Sequence, residues 1–422
     1  MHSLSLRISR WTQAIFLFLF LSTAIALFAT ANAQTVYHEE EVTFSTENGL
    51  VLDSNGQPVN GVVQTFHDNG MLQQETPYVN GKIEGVEKAY NLSGELRRET
   101  IYVNGLKEDV EKIYCGNAVL NCENTYEHGQ RVGVSKGYYE SGQLRYEIPY
   151  VNGMAEGISK GYYEDGSLRY ETPYVNDEIH GTDKGFHEDG SLHYERTFDH
   201  GKIDGPDRSY YADGTLQMET PYVNGERDGI EKWYYPDGSL QSERSWTNGN
   251  LNGPSKSFYN NGALWYEVTM VDGQRQGVEK AYYSNGTLKS ETPWRDNQID
   301  GMMRNYHPNG QLESEMPYIN GEYHGTLKTY HRNGNLAREV LFVHNQRQGV
   351  EKTYYRNGAL KREITFVDNK LEGPDKWYYE SSALKQESHY TESQRNGISR
   401  TYDENGKLLD EIMYADGQKV AH

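Results

Sequence analysis

Polar and apolar positions recur along this chain with a period of 24 residues. A turn glycine sets the register: Gly70, Gly94, Gly142, Gly166 and onward to Gly406, with Ala118 and Ser382 in the two places where glycine is absent. Two residues after the turn position every repeat has Leu, from Leu72 to Leu408, and five residues after it every repeat has Glu, from Glu75 to Glu411. Four residues before it stands Tyr or Phe, from Phe66 to Tyr402. Fifteen repeats in register without an insertion exclude a string of unrelated domains.

Short alternating stretches bounded by Gly, Asn and Asp predict strands. Each repeat reads as a β-hairpin. Between Gly157 and Gly181, Tyr162 and Tyr163 end one strand, Glu164-Asp165-Gly166 makes the turn, and Leu168 to Tyr174 returns. The tripeptide x-Asp/Asn-Gly suits a type I turn closed by a left-handed glycine with a G1 bulge. That register sets Tyr162 opposite Leu168, and strict alternation then places Leu168, Tyr170, Thr172 and Tyr174 on one face. A second turn, seen at Asn80-Gly81, Asn152-Gly153 and Asn224-Gly225, joins one hairpin to the next. Pro77, Pro149, Pro173, Pro221, Pro293 and Pro317 share one place in the repeat, where the strand must lack a ladder donor or carry a bulge. The predicted fold is all-β: an elongated single-layer antiparallel meander of about fifteen 24-residue hairpins, spanning roughly 140 Å at the usual strand spacing. No helix is expected after residue 33.

The N-terminus breaks the pattern. Arg7 and Arg10 precede an uncharged apolar run from Ala14 to Thr30, and Ala31-Asn32-Ala33 supplies a small-x-small cleavage pattern. These features predict a secretory signal peptide over residues 1–33, with an uncleaved membrane anchor as the alternative. The remaining boundaries follow as a cap and partial repeat over 34–61, the repeat array over 62–417 and a tail over 418–422. Export places the chain in the periplasm, on the cell surface or outside the cell. In such a compartment Cys115 and Cys122, the only cysteines, are expected to pair as a structural disulfide.

Composition narrows the function. The 12% aromatic content argues against disorder, and the net charge of −20 argues against nucleic acid and anionic lipid as partners. The repeated Glu and the basic residue six before the turn (Lys136, Lys160, Lys184, Arg208, Lys232) read as cross-strand ion pairs. The Tyr78-Tyr102-Tyr126 stripe reads as packing between hairpins. Tyr163, Tyr211, Tyr235, Tyr283 and Tyr355 lie just outside the strict stripes and are the candidate residues of an open binding face. His180, His187, His193 and His200 cluster with Glu188 and Asp189, but their spacing matches no metal motif, and no metal or cofactor is expected. No catalytic signature stands in context, and a repeated residue set does not supply the single constellation that catalysis needs, so the chain is read as non-enzymatic.

The segments "GVEKAYYSNGTLKSETPW" and "GYYEDGSLRYETPYVN" resemble the MORN-repeat variant, and more particularly the bacterial YwqK-type antitoxin repeat proteins. The resemblance covers nearly all of residues 42–417. It implies a hairpin array, with scaffolding or lipid binding as the roles linked to such repeats. The export signal departs from the picture of a protein that neutralises a cytosolic toxin. The leading expectation is an exported scaffold that binds a protein or surface polymer through an open aromatic face and its hairpin tips. The alternatives are an antitoxin-like neutraliser of a cognate toxin and an envelope or adhesive protein that self-associates through its end strands.

Overall fold

The computed structural model describes residues 34–420, so the predicted signal peptide lies outside the described residues. The chain divides into two compact units. The first runs to Leu168 and includes Tyr174–Asp177; the second holds Arg169–Pro173 and everything from Glu178 onward. Among the described residues there is no α-helix, only two short 3-10 turns at Glu39–Glu41 and Gly116–Ala118. No helix there is long and apolar enough to cross a membrane.

In the first unit, Val36–His38 lies parallel to Gly61–Phe66, and a small hairpin pairs Val42–Phe44 with Val51–Asp53. Together they cap the first repeat, and Val59 beneath them is fully buried. From Gly61 the chain is an antiparallel meander. The tight turn takes the predicted form: His67 N donates to the Met71 carbonyl and Gly70 N to the His67 carbonyl, with Gly70 at φ +81°. The second turn is a two-residue loop in which Asn80 and Gly81 both have positive φ, as a type I′ turn requires. Opposite Pro77 the neighbouring strand is interrupted, and Glu84 N reaches the Pro77 carbonyl at 3.0 Å. The first of the two repeats without a turn glycine makes a 3-10 turn with Ala118 at φ +56°.

The second unit repeats this plan through Gly397–Tyr402 and Leu408–Ala415. Its hairpins correct one expectation. Phe186 pairs with Leu192 and Gly185 with Tyr194, so residue 193 is an extra, bulged residue. The bulge inverts the alternation. Phe198 therefore pairs with Gly181 and lies on the face opposite Phe186 and Leu192. The Tyr78 stripe and the Phe66 stripe accordingly occupy different faces, not one.

The first face carries the stripe four before the turn together with the repeated Glu. Most of its tyrosine hydroxyls donate to the glutamate of the preceding repeat, as in Tyr210 to Glu195 at 2.9 Å and Tyr378 to Glu363 at 2.8 Å. Basic residues sit between two glutamates in the register: Arg208 lies 3.2 Å from Glu195 and 2.7 Å from Glu219. The first unit has the same pattern, with Tyr90 to Glu75 at 3.0 Å and Lys136 to Glu147 at 3.9 Å. Burial, then the glutamate hydrogen bond, pushes the Tyr90, Tyr210 and Tyr378 hydroxyls up to about 12.

The second face holds what core there is. Its buried positions lie seven residues before and six after each turn, and many are polar: Thr76, Glu87, Thr100 and Glu111 in the first unit, and Asp207, Thr220, Glu231 and Asp375 in the second. Only a few repeats fill these places with aliphatics, as at Val268, Val340 and Ile364. This explains how a chain poor in Val, Ile and Leu still folds. A one-layer sheet buries only the central rows of a face, and hydrogen-bonded polar groups serve there as well as methyl groups.

Candidate interaction face

The buried carboxylates in the central row of the second face are committed internally. In the second unit, Glu231 is 2% exposed, accepts from Thr220 Oγ1 at 3.3 Å and Trp246 Nε1 at 3.4 Å, and lies 3.9 Å from both Arg227 and Arg244. Asp375 takes a two-pronged contact from Arg362, at 2.7 and 3.0 Å. Glu351 takes the same from Arg338, at 2.8 and 2.9 Å. In the first unit, Glu111 accepts from Lys107 Nζ at 2.7 Å and Thr100 Oγ1 at 3.1 Å. Burial would raise its carboxyl, but Lys107 with Asn124 and Thr100 outweighs burial and holds it below the ordinary range. These carboxylates are neutralised within the fold and do not form a free acidic site.

Beside this row runs a stack of aromatics and cations. Where the residue eleven before the turn is Arg or Tyr, it packs against aromatics of neighbouring repeats. Arg227 donates to the Tyr222 hydroxyl at 3.3 Å and stacks 4.7 Å from the Trp246 ring. Arg275 lies 4.7 Å from Trp294, Arg347 4.0 Å from Phe366 and Arg395 5.0 Å from Tyr414. Where the inserted residue is Tyr323, the stack is wholly aromatic, with centroids 4.5 Å from Tyr318 and 5.4 Å from Phe342. Each cation–π contact is worth about 0.5–2 kcal/mol depending on desolvation, so this row ties one repeat to the next.

The third row contains the tyrosines three before the turn, including the residues picked out from sequence. They are half-buried, and their hydroxyls are occupied. Tyr211 donates to the Tyr234 carbonyl, Tyr235 to Phe258, Tyr283 to Tyr306 and Tyr355 to Tyr378, all at 2.9 Å. The bulge is the cause. Pairing between repeats ends at Ser242↔Ser257, one residue short of Phe258, and the Tyr235 hydroxyl meets the carbonyl beyond the end of the ladder. Tyr163, in the first unit, is likewise half-buried. Cations from the bulge position cover some of these rings: Lys289 lies 5.8 Å from Tyr283 and Lys361 5.5 Å from Tyr355.

At one place in the second unit this row opens. Trp233, Tyr235, Gln241, Ser242, Arg244 and Trp265 line a groove of about 350 Å³. Here the bulge residue is Gln241, not a cation, and the next bulge residue is Trp265, which is 49% exposed. The Arg244 side chain is 51% exposed above the buried Glu231. Sequence reading selected Tyr235 but missed Trp233, Trp265 and Arg244. The signal for them was the departure of Trp233 and Trp265 from the small or charged residues usual at their places in the repeat.

The remaining candidates separate. Cys115 and Cys122 are both free, and the expected disulfide is absent from the structure. The register explains this: Cys122 pairs with Ile113, and Cys115 lies two residues beyond that partner, in the approach to the 3-10 turn. The histidines form two pairs instead of one cluster. His187 and His193 stack at 4.3 Å, while His180 and His200 meet edge to face at 4.9 Å with Asp199 beside them. Asp189 is occupied by Ser191, through its N–H at 2.9 Å and its hydroxyl at 2.6 Å.

No match was found among curated proteins. Among solved structures, the crystal structure of TcdB2-TccC3-Cdc42 is 11% identical, the match covering 86% of this chain and 24% of that one with a TM-score of 0.15. The Photorhabdus luminescens Tc holotoxin pore is also 11% identical, over 88% of this chain and 23% of that one, with a TM-score of 0.14. The chain thus spans about a quarter of the solved chains it matches, and TM-scores this low carry no argument about fold or function. The profile of the MORN repeat variant matches residues 59–80, 131–152, 155–176, 204–224, 227–248, 251–272, 275–296, 299–320, 323–344, 347–368 and 395–416. These segments make up more than half of the chain and fall in phase with the hairpins, and the chain belongs to the MORN repeat variant family.

Proposed function

We propose that the chain is an exported, non-enzymatic scaffold whose grooved face holds a protein or a surface polymer. The groove at Trp233, Tyr235 and Trp265 carries this reading. At Tyr283, Tyr355 and Tyr379 the row is capped by lysines, whereas here aromatic surface and an exposed guanidinium stand together. Aromatic faces beside a hydrogen-bonding cation suit a sugar ring or an extended peptide. Repetition of the flanking rows favours a long partner that lies across several repeats. The net charge of −20 disfavours polyanions, and the basic-apolar N-terminus supports export.

The test uses native protein taken from its own cells. Intact mass is expected to place the mature N-terminus at Gln34, in the periplasmic, surface or extracellular fraction. Wild-type protein is expected to co-purify with a partner that the Trp265→Ala variant loses at unchanged circular dichroism. A chain that keeps Met1 and stays in the cytosol would refute export. A partner retained by Trp265→Ala would refute the groove. Tight one-to-one capture of a toxic protein would support an antitoxin-like action in place of polymer binding.

A further inference from the structure

We propose that His180 with His200 and Asp199 forms a site for a borderline transition-metal cation such as Zn²⁺. The argument begins with what ordinarily occupies these places. The residue ten before the turn normally caps the second turn of its own repeat, accepting the N–H of the residue ten after it. Asp228 accepts from Asn248 at 3.2 Å, Gln276 from Asp296 at 2.9 Å and Glu372 from Glu392 at 2.9 Å. In the first unit Glu84 and Glu108 do the same for Asn104 and His128, at 2.6 and 2.8 Å.

In two repeats, 144 residues apart, the capping residue is histidine: His180 and His324. In both of them the capped residue is also histidine, His200 and His344. Loss of a cap would explain one change in each repeat. Two imidazoles brought together, twice, at the same place in the repeat are not explained by capping.

The geometry suits a cation. His180 Nδ1 lies 3.2 Å and His200 Nδ1 2.6 Å from Asp199 Oδ1, and donor atoms of all three residues fall within 4.8 Å of one another. A tetrahedral cation bound at about 2.0–2.2 Å from each donor holds its donors roughly 3.3–3.6 Å apart, so modest side-chain rotation closes these three on one ion. His324 and His344 meet in the same edge-to-face manner, with centroids 5.1 Å apart against 4.9 Å for His180 and His200. Glu322 Oε2 lies 2.9 Å from His344 Nδ1. His324 Nδ1 is buried and has no hydrogen-bond partner among the described residues, but the donors of His324, His344 and Glu322 do not all fall within 4.8 Å of one another, so this pair does not make a three-donor site. Two imidazoles and one carboxylate select Zn²⁺, Cu²⁺ or Ni²⁺ over Mg²⁺ and Ca²⁺, which take oxygen donors. His187 and His193 are excluded, because the nearby Asp189 is occupied by Ser191.

The test is calorimetric titration of the full chain with ZnCl₂, with MgCl₂ as the control, and Cu²⁺ spin resonance to count imidazole nitrogens. We expect one saturable Zn²⁺ site and no Mg²⁺ binding. The variant His180→Glu with His200→Asn restores the residues usual at those places, so it keeps the turn; it should bind one ion fewer, the lost site weakening by about 100-fold or more. The variant His324→Glu with His344→Asn should bind Zn²⁺ as the wild type does. Unchanged Zn²⁺ binding in the His180→Glu, His200→Asn variant, equal loss in the His324→Glu, His344→Asn variant, or no saturable Zn²⁺ binding below about 1 mM, a Kd corresponding to about −4 kcal/mol, overturns the proposal.

Discussion

Removing one hydroxyl, Tyr235→Phe, isolates the link between consecutive repeats. The hydroxyl donates to the Phe258 carbonyl at 2.9 Å, across a partly buried interface. The ring and its packing stay; one hydrogen bond goes and one carbonyl loses its partner. A neutral hydrogen bond of this kind contributes about 0.5–1.5 kcal/mol, with the penalty for a stranded carbonyl at the upper end. We expect about 1 kcal/mol. Global melting is a poor readout, because a long repeat array need not unfold in two states. Native-state hydrogen exchange is better, since it reports opening repeat by repeat. Amides in residues 229–258 should exchange about fivefold faster, the factor that corresponds to about 1 kcal/mol. Residues 346–378, well along the same unit, should be unaffected, and Tyr235→Phe with Tyr355→Phe should behave as two separate lesions. Equal acceleration in both regions would refute nearest-neighbour coupling. No acceleration at 229–258 would refute a structural role for the hydroxyl.

Three further perturbations probe other rows. Val340 is 1% exposed, so Val340→Ala removes two buried carbons and leaves a small cavity, and about 2–3 kcal/mol should be lost in denaturant unfolding of residues 325–367. A Cβ at Gly185 would stand 2.1 Å from the Tyr194 ring, so Gly185→Ala should displace that ring and cost about 1–3 kcal/mol, read as lost exchange protection in 181–199. The tyrosines hydrogen-bonded to glutamate, such as Tyr210, Tyr282 and Tyr354, have hydroxyls raised to about 12 by burial and by that bond. Because the folded value exceeds the unfolded value near 10, their contribution is full below pH 10 and is lost as pH rises toward 12. Tyrosinate absorbance and far-ultraviolet dichroism should therefore change together in that window, and full ionisation near pH 10 with the fold intact would contradict the bonding pattern.

The hairpins, both turn types and the period were legible because turn chemistry is local. The Asn-Gly and Asp-Gly signals need only two or three residues to act. Face assignment was not legible, because the residue after Leu72 and its equivalents is bulged and a single extra residue inverts every side chain beyond it. The acidic central row escaped notice for a related reason. Glu87, Glu111, Asp207 and Glu231 look like surface charges until the register sets them between Thr, Arg and aromatic neighbours. Their trace in the sequence is that the place seven before the turn never carries Lys or Arg. Tyr235 was identifiable because it departs from the strict stripes, but its hydroxyl bond depends on where pairing between repeats ends, which periodicity alone does not reveal. The disulfide was expected from compartment logic, which bears on whether two thiols can oxidise and not on where the register holds them.

The most direct test of the binding account is site-specific photo-crosslinking in the native cell. One probe replaces Gln241, on the rim of the groove, and another replaces Lys280, on the opposite face. The account predicts one dominant crosslinked partner from position 241, abolished by Trp265→Ala, and none from position 280. Equal crosslinking from both faces, or a position 241 adduct that survives Trp265→Ala, would contradict it.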